Sequence, residues 1–200
     1  MTKVKFCGLR RPADIEYVNE LGPDYIGFVF AKKSKRYVTS EAAKELKAML
    51  LPEIKACGVF VNEDIDVVLL LLDEGVIDIA QLHGSEDEAY IKELKSRTKA
   101  PVIRAFKIGG AEDVQAAQNS SADMVLLDSG EGSGRTFNWE LIGNGIRRPY
   151  FLAGGLTPEN ASEAVCTLNP CALDVSSGIE TDGFKDFDKM KKFIQAVRIV

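Results

Sequence analysis

The sequence predicts a (β/α)8 barrel, and two features of its pattern carry the prediction. Short apolar segments of β type alternate with segments of helical periodicity along the 200 residues. Eight predicted strands, with one for about every 25 residues, are enough to close a parallel barrel and leave little room for insertions. A doubly wound open sheet would carry a glycine-rich dinucleotide turn after its first strand, and the turn at Cys7-Gly8-Leu9-Arg10 lacks that fingerprint.

The predicted strands are runs rich in β-branched, aromatic and leucine residues. Because helical segments separate them, they must pair in parallel through right-handed crossovers, which buries both of their faces. The strands are predicted at 4–7, 25–30, 54–61, 77–82, 101–107, 123–128, 149–153 and 171–176.

The predicted helices follow apolar periodicity of 3.6 residues. Three of them have a clear start, because a hydroxyl residue (Ser40, Ser85 or Thr157) precedes glutamate or proline in the first turn. The helices are predicted at 13–20, 40–50, 64–72, 86–96, 111–118, 157–165 and 187–197.

The composition is that of a folded globular chain, with 46% hydrophobic and 28% charged residues. The longest apolar run, 67–72, is shorter than the roughly 18 residues of a membrane span, and the first residues resemble no export signal. We therefore expect one barrel domain over 1–200, located in the cytoplasm and without a membrane partner. The net charge of −5 and the lack of any run of five like charges argue against a nucleic-acid partner.

The cysteine and histidine content limits the chemistry. The cysteines are widely spaced or lack partner histidines, and His83 is the one histidine of the sequence. Neither a zinc site nor a relay of several histidines is predicted, so we expect no metal. Catalysis would then depend on carboxylates, thiols, lysines or arginines.

Active sites of (β/α)8 barrels lie where strands run into the following loops. Cys7 and Asp128 end two apolar strands, and they form a candidate base and acid. Alternation places Lys5 on the same face as Cys7, about 7 Å away, where a buried ammonium would favour the thiolate. Desolvation beside 124–127 would favour the protonated form of Asp128.

Other strand ends suggest binding groups. Small residues after the last two strands, Gly154 and Gly155 and then Ser176, Ser177 and Gly178, can expose backbone N–H groups to a phosphate.

Arg36, in the densest basic cluster of the sequence, is a candidate carboxylate clamp or an ordinary solvated loop residue. Gln81 and His83 are expected to support the site through hydrogen bonds. Asp174 is predicted to pair with Lys5, since neither charge could be buried alone. The glycine-rich segment 129–136 is predicted to be a loop that closes over a ligand.

Eight short strings of residues, found in the same order, resemble the phosphoribosylanthranilate isomerase family of tryptophan biosynthesis. They are KFCG at 5–8, GFVF at 27–30 followed by SKRY at 34–37, GVFVN at 58–62, QLHG at 81–84, LD at 127–128, GSGRTFNW at 132–139, AGGL at 153–156 and DVSSG at 174–178.

The resemblance implies a cofactor-free barrel that converts N-(5′-phosphoribosyl)anthranilate to 1-(2-carboxyphenylamino)-1-deoxyribulose 5-phosphate by an Amadori rearrangement. It implies that Cys7 is the base, Asp128 the acid and Arg36 the ligand of the anthranilate carboxylate. The phosphate would bind at 154–155 and 176–178. We expect a monomer or weak homodimer whose partner is the phosphorylated small molecule.

Three alternatives stay open at this point. An indole-glycerol-phosphate synthase would need a lysine and glutamate pair at the strand ends, and a dual-substrate sugar isomerase would be expected to use two aspartates where this chain has Cys7 and Asp128. A catalytically inactive phosphoester-binding barrel is the alternative from a different class.

Overall fold

Eight parallel strands form a closed barrel in the order of the sequence, with β1 paired to both β2 and β8. The computed structural model describes residues 1–128, 139, 142 and 145–199. The barrel strands are β1 Lys3–Cys7, β2 Tyr25–Val29, β3 Lys55–Phe60, β4 Ile79–Leu82, β5 Val102–Lys107, β6 Met124–Asp128, β7 Tyr150–Ala153 and β8 Ala172–Val175. All eight lie within one or two residues of the predicted bounds.

Helices cover the outside of the barrel. They are α1 Pro12–Leu21, α2 Ser40–Met49, α3 Ile65–Asp73, α4 Glu88–Arg97, α5 Ala111–Asn119, α6 Ala161–Leu168 and α7 Phe187–Arg198. In the part of the chain that the structure describes, no helix is both long and apolar enough to span a membrane.

The apolar core has two parts because strand residues alternate in direction. Val102 packs with the helices in the outer layer, whereas Ile103 and Ala105 fill the barrel interior. Phe151 and Leu126 belong to the same interior cluster. One part of the barrel interior is therefore a packed apolar plug, and the buried polar side chains of the strands lie nearer their carboxyl ends.

The hydroxyl caps predicted for three helices are wrong, because other residues occupy the N-cap positions. The Thr39 hydroxyl accepts a hydrogen bond from the N–H of Ala42 and caps α2, which begins at Ser40 as predicted. Asp87 caps α4, while Ser85 instead donates to the side-chain oxygen of Asn62. Asn160 is the N-cap residue of α6, three residues after Thr157.

A short hairpin after β8 was not predicted. A single 3₁₀ turn, Ser177–Ile179, leads into β9 Glu180–Thr181, which pairs antiparallel with β10 Phe184–Lys185. Two-residue strands produce no periodicity that a sequence pattern could reveal. The predicted closing loop at 129–136 lies outside the described residues.

Candidate active site

Cys7 and Asp128 lie at the ends of β1 and β6 and line one cavity of about 270 Å³. The cavity opens at the carboxyl ends of the strands, where barrel enzymes place their chemistry. It brings together most of the residues singled out in the sequence. Those among its lining residues are Cys7, Arg36, Gln81, His83, Asp128, Gly154, Gly155, Asp174, Ser176 and Ser177.

The predicted ion pair between Lys5 and Asp174 is present below Cys7. The Lys5 ammonium lies 2.7 Å from Oδ2 of Asp174, and the lysine side chain is fully buried. Burial alone would favour the neutral amine, but the carboxylate outweighs it and raises the pKa of Lys5. The neighbouring strands β1 and β8 place the two residues side by side in the barrel register.

The Lys5 ammonium acts on Cys7 in the expected direction, since it lowers the pKa of the thiol, but burial of the thiol has the larger effect. Burial raises the pKa of the Cys7 thiol, and the opposing effects of the Lys5 and Lys185 ammonium groups do not cancel it. The thiol therefore stays protonated near neutral pH for most of the time. The two cations limit the rise in pKa rather than reverse it.

A chain of hydrogen bonds joins β4 to the predicted acid. Nε2 of His83 lies 3.2 Å from Oδ2 of Asp128, and its Nδ1 lies 3.1 Å from Nε2 of Gln81. Because alternate residues of a strand face the same way, Gln81 and His83 both point into the barrel mouth. The arrangement orients the imidazole against the carboxyl group of Asp128.

The turns after β7 and β8 meet at one side of the cavity. Gly154 and Gly155 have φ angles of 90° and 63°, a left-handed backbone that favours glycine. Gly178 packs so closely that a Cβ atom there would lie 1.9 Å from the carbonyl oxygen of Leu156. The Ser176 hydroxyl donates to the carbonyl of Cys7 at 3.0 Å, which ties this turn to the end of β1.

Arg36 does not stand as an isolated cation at the mouth. Its guanidinium makes two hydrogen bonds of 2.7 Å to the carboxylate of Glu180 on β9, and the Lys185 ammonium binds the same carboxylate at 2.7 Å. Sequence reasoning missed Glu180 and Lys185. The only signal was the presence of both charges just beyond the DVSSG string, which does not reveal that they are buried.

Two acceptors in the cavity wall are buried without a hydrogen-bond partner among the described residues. They are Oδ1 of Asp174 and Oε1 of Gln81. Unpaired buried oxygens are costly, and both side chains line the cavity that holds Cys7 and Asp128. A ligand with hydroxyl groups would supply the missing donors.

Comparison with known proteins identifies the family. A family model described as N-(5′-phosphoribosyl)anthranilate (PRA) isomerase matches residues 4–196. The chain belongs to this family. The N-(5′-phosphoribosyl)anthranilate isomerase of Thermoanaerobacter sp. (strain X514) is 47% identical over 204 aligned positions, which cover 99% of this chain and 98% of the relative.

Two solved structures extend the comparison to three dimensions, and each aligns over 100% of both chains. One is a phosphoribosylanthranilate isomerase in complex with reduced 1-(o-carboxyphenylamino)-1-deoxyribulose 5-phosphate, with 36% identity and a TM-score of 0.89. The other is a monomeric form of the dimeric isomerase from Thermotoga maritima, with 35% identity and a TM-score of 0.88. The predictions of a (β/α)8 barrel, of this family and of an isomerase of tryptophan biosynthesis are confirmed.

The buried ion pair leads to a prediction about stability. Lys5→Met should lower the free energy of unfolding by about 3 kcal/mol, because it leaves the carboxylate of Asp174 buried without its cation. Urea unfolding followed by circular dichroism measures the difference.

Lys44→Met is the matched control for Lys5→Met, since Lys44 pairs with Glu74 on the exposed surface. It should change the free energy of unfolding by no more than about 0.5 kcal/mol. Equal effects of the two substitutions would contradict a structural role for the buried pair.

Proposed function

We propose that this protein converts N-(5′-phosphoribosyl)anthranilate to 1-(2-carboxyphenylamino)-1-deoxyribulose 5-phosphate with Cys7 as base and Asp128 as acid. The observation that carries the proposal is the shared cavity, in which a thiol and a carboxyl group face the paired glycine turns. An Amadori rearrangement needs one proton donor and one acceptor beside a fixed sugar phosphate.

The proposed chemistry has two proton transfers. Asp128 gives its proton to the ring oxygen of the furanose as the C1′–O bond breaks and a Schiff base forms. Cys7, as thiolate, then removes the proton on C2′ to give an enamine, which tautomerises to the product ketone. One proton leaves Asp128 and one arrives at Cys7, so the isomerisation is balanced and draws on no cofactor. Each positioned transfer contributes about 10² to 10⁴-fold to the rate.

Cys7 can act as a base in this chemistry only because two ammonium groups near it favour its thiolate form. Burial raises the pKa of the thiol, and the negative substrate would raise it further. Lys5 and Lys185 oppose that rise, since an ammonium group favours the thiolate. We propose that the buried lysines keep enough thiolate present for the second proton transfer.

The proposed binding mode holds the substrate at both ends. The phosphate lies in the turns formed by Gly154, Gly155, Ser176, Ser177 and Gly178, where short residues let backbone N–H groups approach it. The anthranilate carboxylate binds the guanidinium of Arg36. Anchoring two ends places the sugar ring between base and acid, and such orientation lowers the activation entropy cost.

The remaining polar residues of the cavity would bind the sugar or orient the acid. The unpaired oxygens of Gln81 and Asp174 are suited to accept hydrogen bonds from the sugar hydroxyls. His83 holds the carboxyl group of Asp128 in place through its Nε2 contact. Lys5 holds Asp174 in place by donating a hydrogen bond to its Oδ2.

Loss of substrate fluorescence tests the activity. Phosphoribosylanthranilate made fresh from anthranilate and phosphoribosyl pyrophosphate should lose its anthranilate fluorescence much faster with the protein than by spontaneous hydrolysis. No acceleration would overturn the proposal and leave an inactive phosphoester-binding barrel. Conversion of the histidine-pathway ribotide at a similar rate would point instead to a dual-substrate isomerase.

We further propose that the chain acts as one barrel domain over 1–200, as a monomer or weak homodimer in the cytoplasm. The large exposed apolar side chains among the described residues occur singly or in small groups on different elements, such as Val67 and Leu70 on α3 and Phe184 on β10. Dispersed side chains of this kind offer little continuous apolar area for a tight interface. Sedimentation equilibrium checks this, and a dimer that persists at nanomolar concentration would contradict it.

A further inference from the structure

The contact between Arg36 and Glu180 uses one defined edge of the guanidinium. Nε donates to Oε1 of Glu180 and Nη2 donates to Oε2, each at 2.7 Å. A guanidinium is planar and carries five N–H donors in a fixed fork. With its Nε–Nη2 edge engaged, the edge formed by Nη1 and Nη2 is the one that can bind a second carboxylate with two parallel hydrogen bonds.

The methylene groups and the backbone of Arg36 are fixed by their surroundings, as the guanidinium is. Its methylene groups cross directly over Gly8, where an added Cβ would lie 2.3 Å from the Cδ of Arg36. Gly8 has a φ angle of 80°, which also favours glycine at this position. The Arg36 N–H donates to the hydroxyl of Ser34 at 3.1 Å. Both the backbone and the side chain of Arg36 are therefore fixed before any ligand arrives.

Glu180 is itself held by a second cation. The Lys185 ammonium is almost fully buried, and it donates to Oε1 of Glu180 at 2.7 Å and to the carbonyl oxygen of Ser176 at 3.0 Å. Burial alone would raise the pKa of Glu180, but the hydrogen bonds from Arg36 and Lys185 outweigh it and lower the pKa to about 2. Glu180 is thus a carboxylate at every physiological pH.

The charges of this cluster leave one positive charge unmatched. Arg36 and Lys185 carry two positive charges and Glu180 carries one negative charge, so the three groups together match a single additional anion. The guanidinium side chain is 29% exposed, whereas Lys185 and Glu180 are nearly buried. Among the described residues of this cluster, Arg36 is therefore the group that an incoming carboxylate can reach.

The hairpin that carries Glu180 is tied to the loops beside it. The Arg10 guanidinium donates to the carbonyl of Lys35 on one side and to that of Gly183 on the other, both at 2.9 Å. Arg10 also stacks over the ring of Phe184, with 4.8 Å between the guanidinium carbon and the ring centre. Because these contacts join the two segments, Glu180 and Arg36 are held at a constant separation.

We propose that Glu180 is a positioning residue which, braced by Lys185, turns the Nη1–Nη2 edge of Arg36 toward the aromatic carboxylate of the substrate. The inference rests on the proposed function, in which that carboxylate binds Arg36. In this positioning role, Glu180 determines the specificity for anthranilate over aromatic amines that lack the acid group. The carboxylate of Glu180 touches Arg36 and Lys185, and its effect on the substrate passes through Arg36.

Glu180→Gln tests the proposal by keeping the shape of the side chain and removing its charge. We expect KM for phosphoribosylanthranilate to rise at least about 10-fold, because the guanidinium loses the carboxylate that orients it. The value of kcat should stay within about 3-fold of that of the unaltered protein. Glu16→Gln, on the exposed face of α1, is the matched control and should change neither constant. A fall in kcat with KM unchanged would overturn the inference.

Two ligands separate positioning from a general structural effect. One is the reduced product analogue, and the other is the same molecule without its aromatic carboxylate, each measured by calorimetry. Glu180→Gln should lower the affinity for the carboxylated ligand at least about 10-fold and leave the affinity for the other ligand within about 2-fold. An equal loss of affinity for both ligands would overturn the inference. If Glu180→Gln does not fold, Glu180→Asp, which keeps the charge but shortens its reach, takes its place with the same expected outcomes.

Arg36→Lys separates this inference from the proposed function. If Arg36→Lys loses the preference for the carboxylated ligand and Glu180→Gln retains it, the role of Glu180 is wrong and the role of Arg36 stands. If the unaltered protein shows neither that preference nor conversion of substrate, the proposed function itself is wrong.

Discussion

Cys7→Ser should lower kcat by about 10² to 10⁴-fold, because a serine hydroxyl does not ionise near neutral pH and cannot take the C2′ proton. Serine differs from cysteine by one atom, so the cavity and the hydrogen bond from Ser176 to the backbone of residue 7 should persist. The decay of substrate fluorescence under saturating substrate gives kcat directly.

The matched control for Cys7→Ser is Cys166→Ser, since Cys166 is an exposed cysteine on α6. It should leave kcat unchanged. Full activity in Cys7→Ser would remove the thiol from the mechanism. A loss of activity together with a loss of affinity for the reduced product analogue would indicate a damaged site instead of a missing base.

Asp128→Asn should also lower kcat by about 10² to 10⁴-fold, because an amide has the shape of the carboxyl group but no acidic proton for the ring oxygen. The amide can still form a hydrogen bond with His83, so ligand affinity should change little. The measurement is again kcat by fluorescence, with KM fitted from the same data.

Asp73→Asn, at the exposed end of α3, is the control for charge removal and should behave like the unaltered protein. If Asp128→Asn raised KM and left kcat intact, Asp128 would bind substrate and would not donate the proton. That result would still leave the predicted role of Cys7 open to its own test.

The pH dependence of Asp128→Asn isolates the titration of Cys7. With the acid absent, the residual rate depends on the thiolate fraction, which rises about tenfold per pH unit while the pH lies below the pKa of the thiol. Since burial raises that pKa, the residual kcat/KM should increase steadily over roughly pH 7 to 9. A flat profile in that range would contradict a buried thiol as the base.

Much of the fold and part of the site followed from the sequence. The alternation of strands and helices is a local pattern, and closure of eight units makes β1 and β8 neighbours. That closure is why the pairing of Lys5 with Asp174 could be predicted across the whole length of the chain. Residues at strand ends, such as Cys7 and Asp128, were found because the barrel collects all strand ends at one mouth.

The tertiary structure alone decided the groups whose role depends on neighbours distant in the sequence. Glu180 and Lys185 look like ordinary surface charges in the sequence, and only the fold buries them against Arg36 and Ser176. The N-cap positions depended on where the folded backbone begins each helix, which several neighbouring polar residues could have marked. Strand alternation predicted that Lys5 lies near Cys7, but the pKa of the thiol reflects all surrounding atoms, and desolvation proved larger than the lysine's attraction.

The sequence by itself therefore determined the architecture and the positions of the reactive side chains, because both follow from periodicity and strand direction. The energetic state of those side chains was decided by packing, because burial, charge and hydrogen bonding act through space. They connect residues more than a hundred positions apart in the sequence, such as Arg36 and Glu180.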